Sequence, residues 1–141
     1  MSNPQRVREA VLAMPMARTL QLDIRQLEAG SSEIHMPVLD SFCFRPSQLQ
    51  ATAVFAIADF AAVSAAGTLL PDGWINATID GTLKLLAPAR GKHLRACGRV
   101  VDPGRLLTIC AAEVYAVDDN GETLCATLLG TARNIDPTTR H

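Results

Sequence analysis

Hydrophobic and polar positions alternate along most of this chain, and one stretch does not alternate at all. From residue 20 to 28, Leu20, Leu22 and Ile24 face off against Gln21, Asp23 and Arg25, the period-two pattern of a half-buried strand. Residues 32–38 repeat it with Ile34 and Met36 after an Ala29-Gly30-Ser31 turn, so the two segments predict a hairpin. Ahead of them, Asn3-Pro4 opens a short helix that runs to about Ala13, with Asn3 as its cap. Val7, Ala10 and Val11 give it a modest apolar face, and Met14-Pro15-Met16 ends it. Residues 39–45 read as a loop.

The exception is the segment from Ser47 to Gly67. Ser47 and Gln50 have the spacing of a capping box, and Gly67 is the residue type that ends helices. Between them, Ala51, Ala53, Ala56, Ala58, Ala61, Ala62, Ala65 and Ala66 occupy every face. A helix apolar all round is buried or spans a membrane. Gln50, Thr52, Asp59, Ser64 and Thr68 interrupt the run, which argues against the span. Side chains this small let another backbone come close, as in a sheet curved around the helix.

Leu70-Pro71-Asp72-Gly73 is a turn, and four strands are predicted after it, over 74–86, 92–101, 105–117 and 123–133. Their connections, Ala87–Gly91, Asp102-Pro103-Gly104 and Asp118–Gly121, are short and carry glycine, which favours antiparallel neighbours. Leu107, Ile109 and Ala111 on one face of a strand are backed by Thr108, Cys110 and Ala112 on the other. A sheet apolar on both faces is expected to cover the helix with one and a second subunit with the other. The chain therefore reads as one α+β domain over residues 1–141, with an N-terminal helix (1–14), a central helix (47–67) and C-terminal strands (74–134).

Composition narrows the function. The net charge is −1 without a basic run, which argues against nucleic acid as a partner. The N-terminus mixes charges with its apolar residues and lacks a signal-peptide core, so a cytoplasmic protein is expected. Cys43, Cys97, Cys110 and Cys125 have no C-x-x-C or metal spacing and read as buried free thiols. His35, His93 and His141 are scattered, with nothing to mark a ligand or a base.

Asp59 is the one charge in the central helix, with Phe55, Ala56, Ala62 and Val63 as helical neighbours. A carboxylate withdrawn from water is costly unless paired or protonated, and such groups are often functional. The alternative is a structural aspartate bonded across a subunit contact.

The layout and several motifs resemble the hotdog fold, and in particular acyl-CoA thioesterases of the phenylacetate-degradation type, over about residues 15–135. Residues 78–89, Thr-Ile-Asp-Gly-Thr-Leu-Lys-Leu-Leu-Ala-Pro-Ala, are similar to the family strand that ends in "YLRPA". Residues 98–105 are similar to its "G-x-V-x-x-x-G-(K/R)" turn, and Glu113-Val114-Tyr115 and Asn120-Gly121 continue the pattern. Residues 56–62, around Asp59, match the family's "LAD" segment and put Asp59 on its catalytic carboxylate. The family's His-Gly-Gly, nine residues earlier, is replaced by Gln50-Ala51-Thr52, and its Asn six residues before that is Phe44.

The resemblance implies hydrolysis of acyl-CoA thioesters with a small or medium acyl or aryl group, between two subunits of a dimer or dimer of dimers whose partner is an acyl-CoA or acyl-carrier-protein thioester. Asp59 would serve as base or nucleophile, and the N–H of Ala51 or Thr52 would face the carbonyl, with Gln50 positioning substrate. Thr78 would lie near the Asp or the thioester, and Arg90, Gly104 and Arg105 would meet the nucleotide and phosphates. It implies no cofactor beyond coenzyme A as part of the substrate. The missing His-Gly-Gly leaves open a non-catalytic module that binds acyl-CoA or acyl-carrier protein. A hydratase would need a His beside Asp59, and none is near it in sequence.

Overall fold

The computed structural model describes residues 1–139, so His141 lies outside the described residues. The elements are α1 (Asn3–Leu12), α2 (Pro15–Thr19), β1 (Asp23–Glu28), β2 (Ser31–Pro37), β3 (Cys43–Arg45), β4 (Gln48–Leu49), α3 (Ala51–Gly67), β5 (Ile75–Leu85), β6 (His93–Pro103), β7 (Leu107–Asp118) and β8 (Gly121–Ile135). Six strands form one antiparallel sheet in the order β1-β2-β6-β7-β8-β5, and β3 pairs with β4 apart from it. The sheet wraps α3, which is the hotdog architecture.

Small residues make this wrap possible. Ala58, Ala61, Ala62 and Ala66 of α3 are buried in one core with Ala96, Ala112, Ala126 and Ala132 of the strands. At Gly98 of β6 the backbones nearly touch: a β-carbon there would lie 2.0 Å from the Ala61 carbonyl oxygen. Ser32, paired with Gly98 in the register, donates to that same carbonyl at 2.7 Å. The buried serine thus satisfies its hydroxyl on the helix backbone. Ile34, Met36, Leu94 and Val114 fill the remaining space around the helix.

The predicted hairpin of β1 and β2 is present, with Ile24 opposite Ile34. The connection at 87–91, however, is not a hairpin. β5 crosses to the far edge, where it pairs with β8, while β6 joins β2. Loop length alone does not show whether a strand bonds the next one or passes over the helix.

Local signals failed where tertiary pairing overrode them. Ser47 does not cap α3: it takes φ 62° in the tight turn between β3 and β4, and the chain stays extended to Gln50. Leu49 is held there by its N–H to Ala89 O at 2.9 Å. Helix α3 therefore starts at Ala51, and its Gln50 cap position makes no side-chain capping bond. Gly67 does not end α3 by turning left-handed: the C-cap is Thr68 in right-handed conformation. Thr68 Oγ1 donates to Ala65 O at 2.7 Å and accepts from Gly30 N at 2.8 Å. Gly67 is small for another reason, since a β-carbon would come within 3.2 Å of Val7.

At the N-terminus, Ser2 rather than Asn3 caps α1, and Asn3 instead donates to Leu70 O at 2.6 Å. The Met14-Pro15-Met16 stop also begins the short α2, which buries Ala17. Leu20 and Leu22 are buried as expected, but β1 starts only at Asp23, after Gln21 turns with φ 55°. The stretch read as a loop over 39–45 contains a 3-10 turn (Asp40–Phe42) and β3.

The outward face of the sheet is not uniformly apolar. Across β2, β6, β7 and β8, Arg95 pairs with Glu33 and Glu122 and lies over the Tyr115 ring. The His35 and His93 rings stack beside this network, and Arg99 pairs with Glu113. Exposed large apolar side chains on and beside β5 are Ile75, Ile79, Leu85, Leu86 and Leu129, and Val101, Leu106 and Leu107 form another group at the β6–β7 turn. Cys110 and Cys125 are buried free thiols, whereas Cys43 and Cys97 are only half-buried. Among the described residues, no helix is long and apolar enough to cross a membrane.

The helix–sheet contact sets a stability prediction. Gly98→Ala should destabilise the protein by at least about 3 kcal/mol, because the clash is with backbone rather than a movable side chain. Urea unfolding measures it, and a loss below about 1 kcal/mol would show that α3 can shift to accept the methyl.

Candidate active site

Asp59 lies on the flank of α3 that faces β5, between the buried Ala58 and the half-buried Phe60. The alanine-rich face of the helix is taken by the sheet, so a carboxylate can only sit at its edge. Thr78 of β5 donates its hydroxyl to Asp59 Oδ1 at 2.8 Å. Immediately after Thr78 the β5–β8 register shifts, between Thr78 and Asp80, and such bulges re-aim neighbouring side chains.

Half-burial withdraws water from Asp59 and raises its pKa above the usual carboxylate value; the Thr78 hydrogen bond works the other way and lowers it. A partly desolvated carboxylate with a hydrogen-bonding partner is a frequent feature of functional sites. Below Asp59, burial pushes the Cys110 thiol up to about 11, and the charges of Asp59 and Asp80 add to the shift. Burial likewise pushes Cys125 up to about 11. Both thiols stay protonated at neutral pH, so neither is a nucleophile.

The other candidate residues are spread along the fold. Gln50, Ala51 and Thr52 form the exposed start of α3, where the Gln50 amide donates to the Thr52 hydroxyl at 2.6 Å. The N–H groups of Ala51 and Thr52 have no intrahelical acceptor in this first turn. Asp59 is eight residues further on, about 12 Å along the axis, so one chain does not bring the two together. Arg90 is exposed near the helix start, bridged to Gln48. Gly104 and Arg105 lie at the other end of α3, lining a pocket with Ala66 and Leu69. Gly104 sits where a β-carbon would meet the Leu107 carbonyl at 2.2 Å, and Asn134 donates to the Gly104 and Arg105 carbonyls. The two arginines therefore flank opposite ends of the helix, and only Thr78 touches Asp59.

Asn76 was not singled out from the sequence. It shares a strand face with Thr78, and its amide donates to Val63 O at 3.1 Å, one helical turn beyond Asp59. The two-residue spacing from Thr78 was the available signal. Among the described residues, no cluster of three His, Cys, Asp or Glu side chains could hold a metal ion.

Solved structures share this fold. The fold superposes on a thioesterase family protein from Silicibacter pomeroyi with a TM-score of 0.92 and 30% identity, covering 95% of this chain and 98% of that one. A thioesterase of Haemophilus influenzae matches with a TM-score of 0.83 and 18% identity over 94% of this chain and 90% of its own. The E. coli PaaI protein from the phenylacetic acid degradation operon matches with a TM-score of 0.82 and 18% identity over 95% and 94%. The last two show the fold alone. No family model matches the sequence, and none of the curated proteins does. The fold is that of the hotdog proteins, and within it the chain belongs to the thioesterase family.

The Asp59–Thr78 pair gives a direct test. Thr78→Val removes the interaction that favours the ionised carboxylate, so Asp59 should hold its proton to a higher pH than in the wild type. The carboxyl carbon shift in an NMR titration reads this. An unchanged or lowered midpoint would mean that the hydroxyl does not stabilise the charge.

Proposed function

We propose that this protein hydrolyses acyl-CoA thioesters in an assembly of two copies, with Asp59 as the reacting carboxylate. The observation that carries the reading is Asp59 itself: a partly desolvated carboxylate, oriented by Thr78, in a chain of the thioesterase family. Such a group serves as general base for a water or as a direct nucleophile on the thioester carbonyl.

The second copy supplies what one chain lacks. β5 is an edge strand with most of its side chains exposed, Ile75, Ile79 and Leu85 among them. An edge of this kind invites pairing with another strand. A two-fold axis through antiparallel β5 edges also reverses α3, which carries the partner's helix start towards this chain's Asp59. The N–H groups of Ala51 and Thr52 then face the developing oxyanion, backed by the positive end of the helix. β-carbons at these two positions narrow the approach, and the Gln50 amide, once freed from Thr52, is available to the substrate. Arg90, at the helix start, and Arg105, beside Gly104, suit the phosphates of coenzyme A.

The rival reading, a module that binds acyl-CoA or an acyl-carrier-protein thioester without turnover, is favoured by the same β-carbons and by the closed Gln50–Thr52 bond. Asp59→Asn separates the two. Its kcat on a panel of acyl-CoAs should fall roughly 10²- to 10⁴-fold. Because the folded state raises the pKa of Asp59, it favours the protonated form, and stability is lost as pH rises through that pKa. Asn removes this penalty, so the variant's Tm at neutral pH should equal or exceed the wild type's. No turnover by the wild type, with acyl-CoA still raising its Tm, would establish the binding module instead.

The acid limb of activity is a further check. An ionised Asp59 requires that kcat/KM rise with pH through an apparent pKa above the ordinary aspartate value. A rate already flat well below that range would remove Asp59 as the base.

A further inference from the structure

Strand β5 lies at the edge of the sheet and pairs with β8 on one side only, so no second ladder fixes its place on α3. Among the described residues, two side-chain hydrogen bonds join it to the helix. Thr78 donates to Asp59 Oδ1 at 2.8 Å, and Asn76 donates to Val63 O at 3.1 Å. The donors are two residues apart on one face of the strand, about 6.6 Å along it. The acceptors are four residues apart on the helix, about 6 Å along the axis. The two spacings match, so the bonds act together as a two-point clamp. The contact line continues at Gly81, where a β-carbon would lie 3.3 Å from the Phe55 ring.

Local propensity does not ask for asparagine here, since the residue is depleted in strands. Its half-buried amide is satisfied on a helical carbonyl, which has a second lone pair to offer. Gly67, one turn beyond Val63, leaves the amide room: a β-carbon there would lie 3.6 Å from Asn76 Nδ2 and 3.2 Å from Val7. The register with β8 shifts between Thr78 and Asp80. A bulge bends the strand and re-aims its side chains, so the β8 ladder alone does not fix where the Thr78 hydroxyl points. The Asn76 bond, on the near side of the bulge, does.

We infer that Asn76 is a positioning residue for Asp59: held by the Val63 carbonyl, it sets the height of β5 on α3 and so delivers the Thr78 hydroxyl to the carboxylate. Its effect on turnover rests on the thioesterase reading above; its effect on Asp59 does not. With Oδ1 engaged by Thr78, Oδ2 is the oxygen left to act on a water or on the thioester.

Asn76→Leu keeps the bulk of the side chain, so the site stays dry while the donor is lost. An NMR titration of the Asp59 carboxyl carbon should then show a midpoint above the wild type's, as in Thr78→Val. The double variant Asn76→Leu/Thr78→Val should titrate where Thr78→Val does, because Asn76 acts through that hydroxyl alone. On acyl-CoA substrates, kcat/KM of Asn76→Leu at neutral pH should fall about 10- to 100-fold, with the acid limb moved to higher pH. Asn76→Ala tests the same loss with a smaller side chain if leucine disturbs the fold. A lowered Tm with an unmoved midpoint is the mark of a merely structural bond and would overturn the assignment. So would a midpoint that falls in Asn76→Leu, which means that water has entered, or a double variant shifted beyond Thr78→Val. A raised midpoint in a protein whose wild type hydrolyses no acyl-CoA would overturn the hydrolytic reading and leave Asn76 assigned. Hydrolysis with an unmoved midpoint would do the reverse.

Discussion

The approach of α3 to the sheet at Gly98 is the constraint on which the rest of this fold depends. The two backbones are so close there that the Ala61 carbonyl lies where a side chain of residue 98 would be, and the Ser32 hydroxyl bonds the same oxygen. Only alanine, glycine and serine fit along such a contact, which is why the helix carries alanine on its buried face and the facing strands carry Ala96, Ala112, Ala126 and Ala132.

That closeness dictates where chemistry can happen. A charged side chain on the sheet-facing side of α3 would have no water and no room. Asp59 stands instead on the flank, half-buried, where Thr78 can reach it from the edge strand. Two opposed effects meet there: loss of water favours the protonated carboxyl, and the Thr78 hydroxyl favours the charge. The β5 bulge beside Thr78 and the unpaired edge of β5 belong to the same neighbourhood. The strand that orients the carboxylate is thus also the one that offers a surface to a second copy. Charge is distributed differently: the Arg95–Glu33–Glu122 network spans β2, β6 and the start of β8 and includes no residue of β5.

The sequence by itself determined the helix, its burial, the strand-rich second half and the lone carboxylate. These are properties of composition and period: eight alanines on every face require a close neighbour, and alternating Leu20, Leu22 and Ile24 require one wet face and one dry one. The family was legible from residues 78–89 and 98–105; in the second, close packing at Gly98 and the turn at Gly104 tolerate few residue types. What only the tertiary structure decided was partnership. Ser47 and Gln50 had the spacing of a cap, but Ser47 turns with φ 62° between β3 and β4, and the bond of Leu49 to Ala89 holds the chain extended up to Gln50. Gly67 had the look of a stop, but its use is to make room for Val7. Strand β5 crossed to β8 although its connection was short enough for a hairpin, and Asn76 came to lie one turn from Asp59. Local signals report what a residue can do next to its chain neighbours; which of those options is taken depends on contacts from residues far away in the chain, and these exist only once the sheet has closed around the helix.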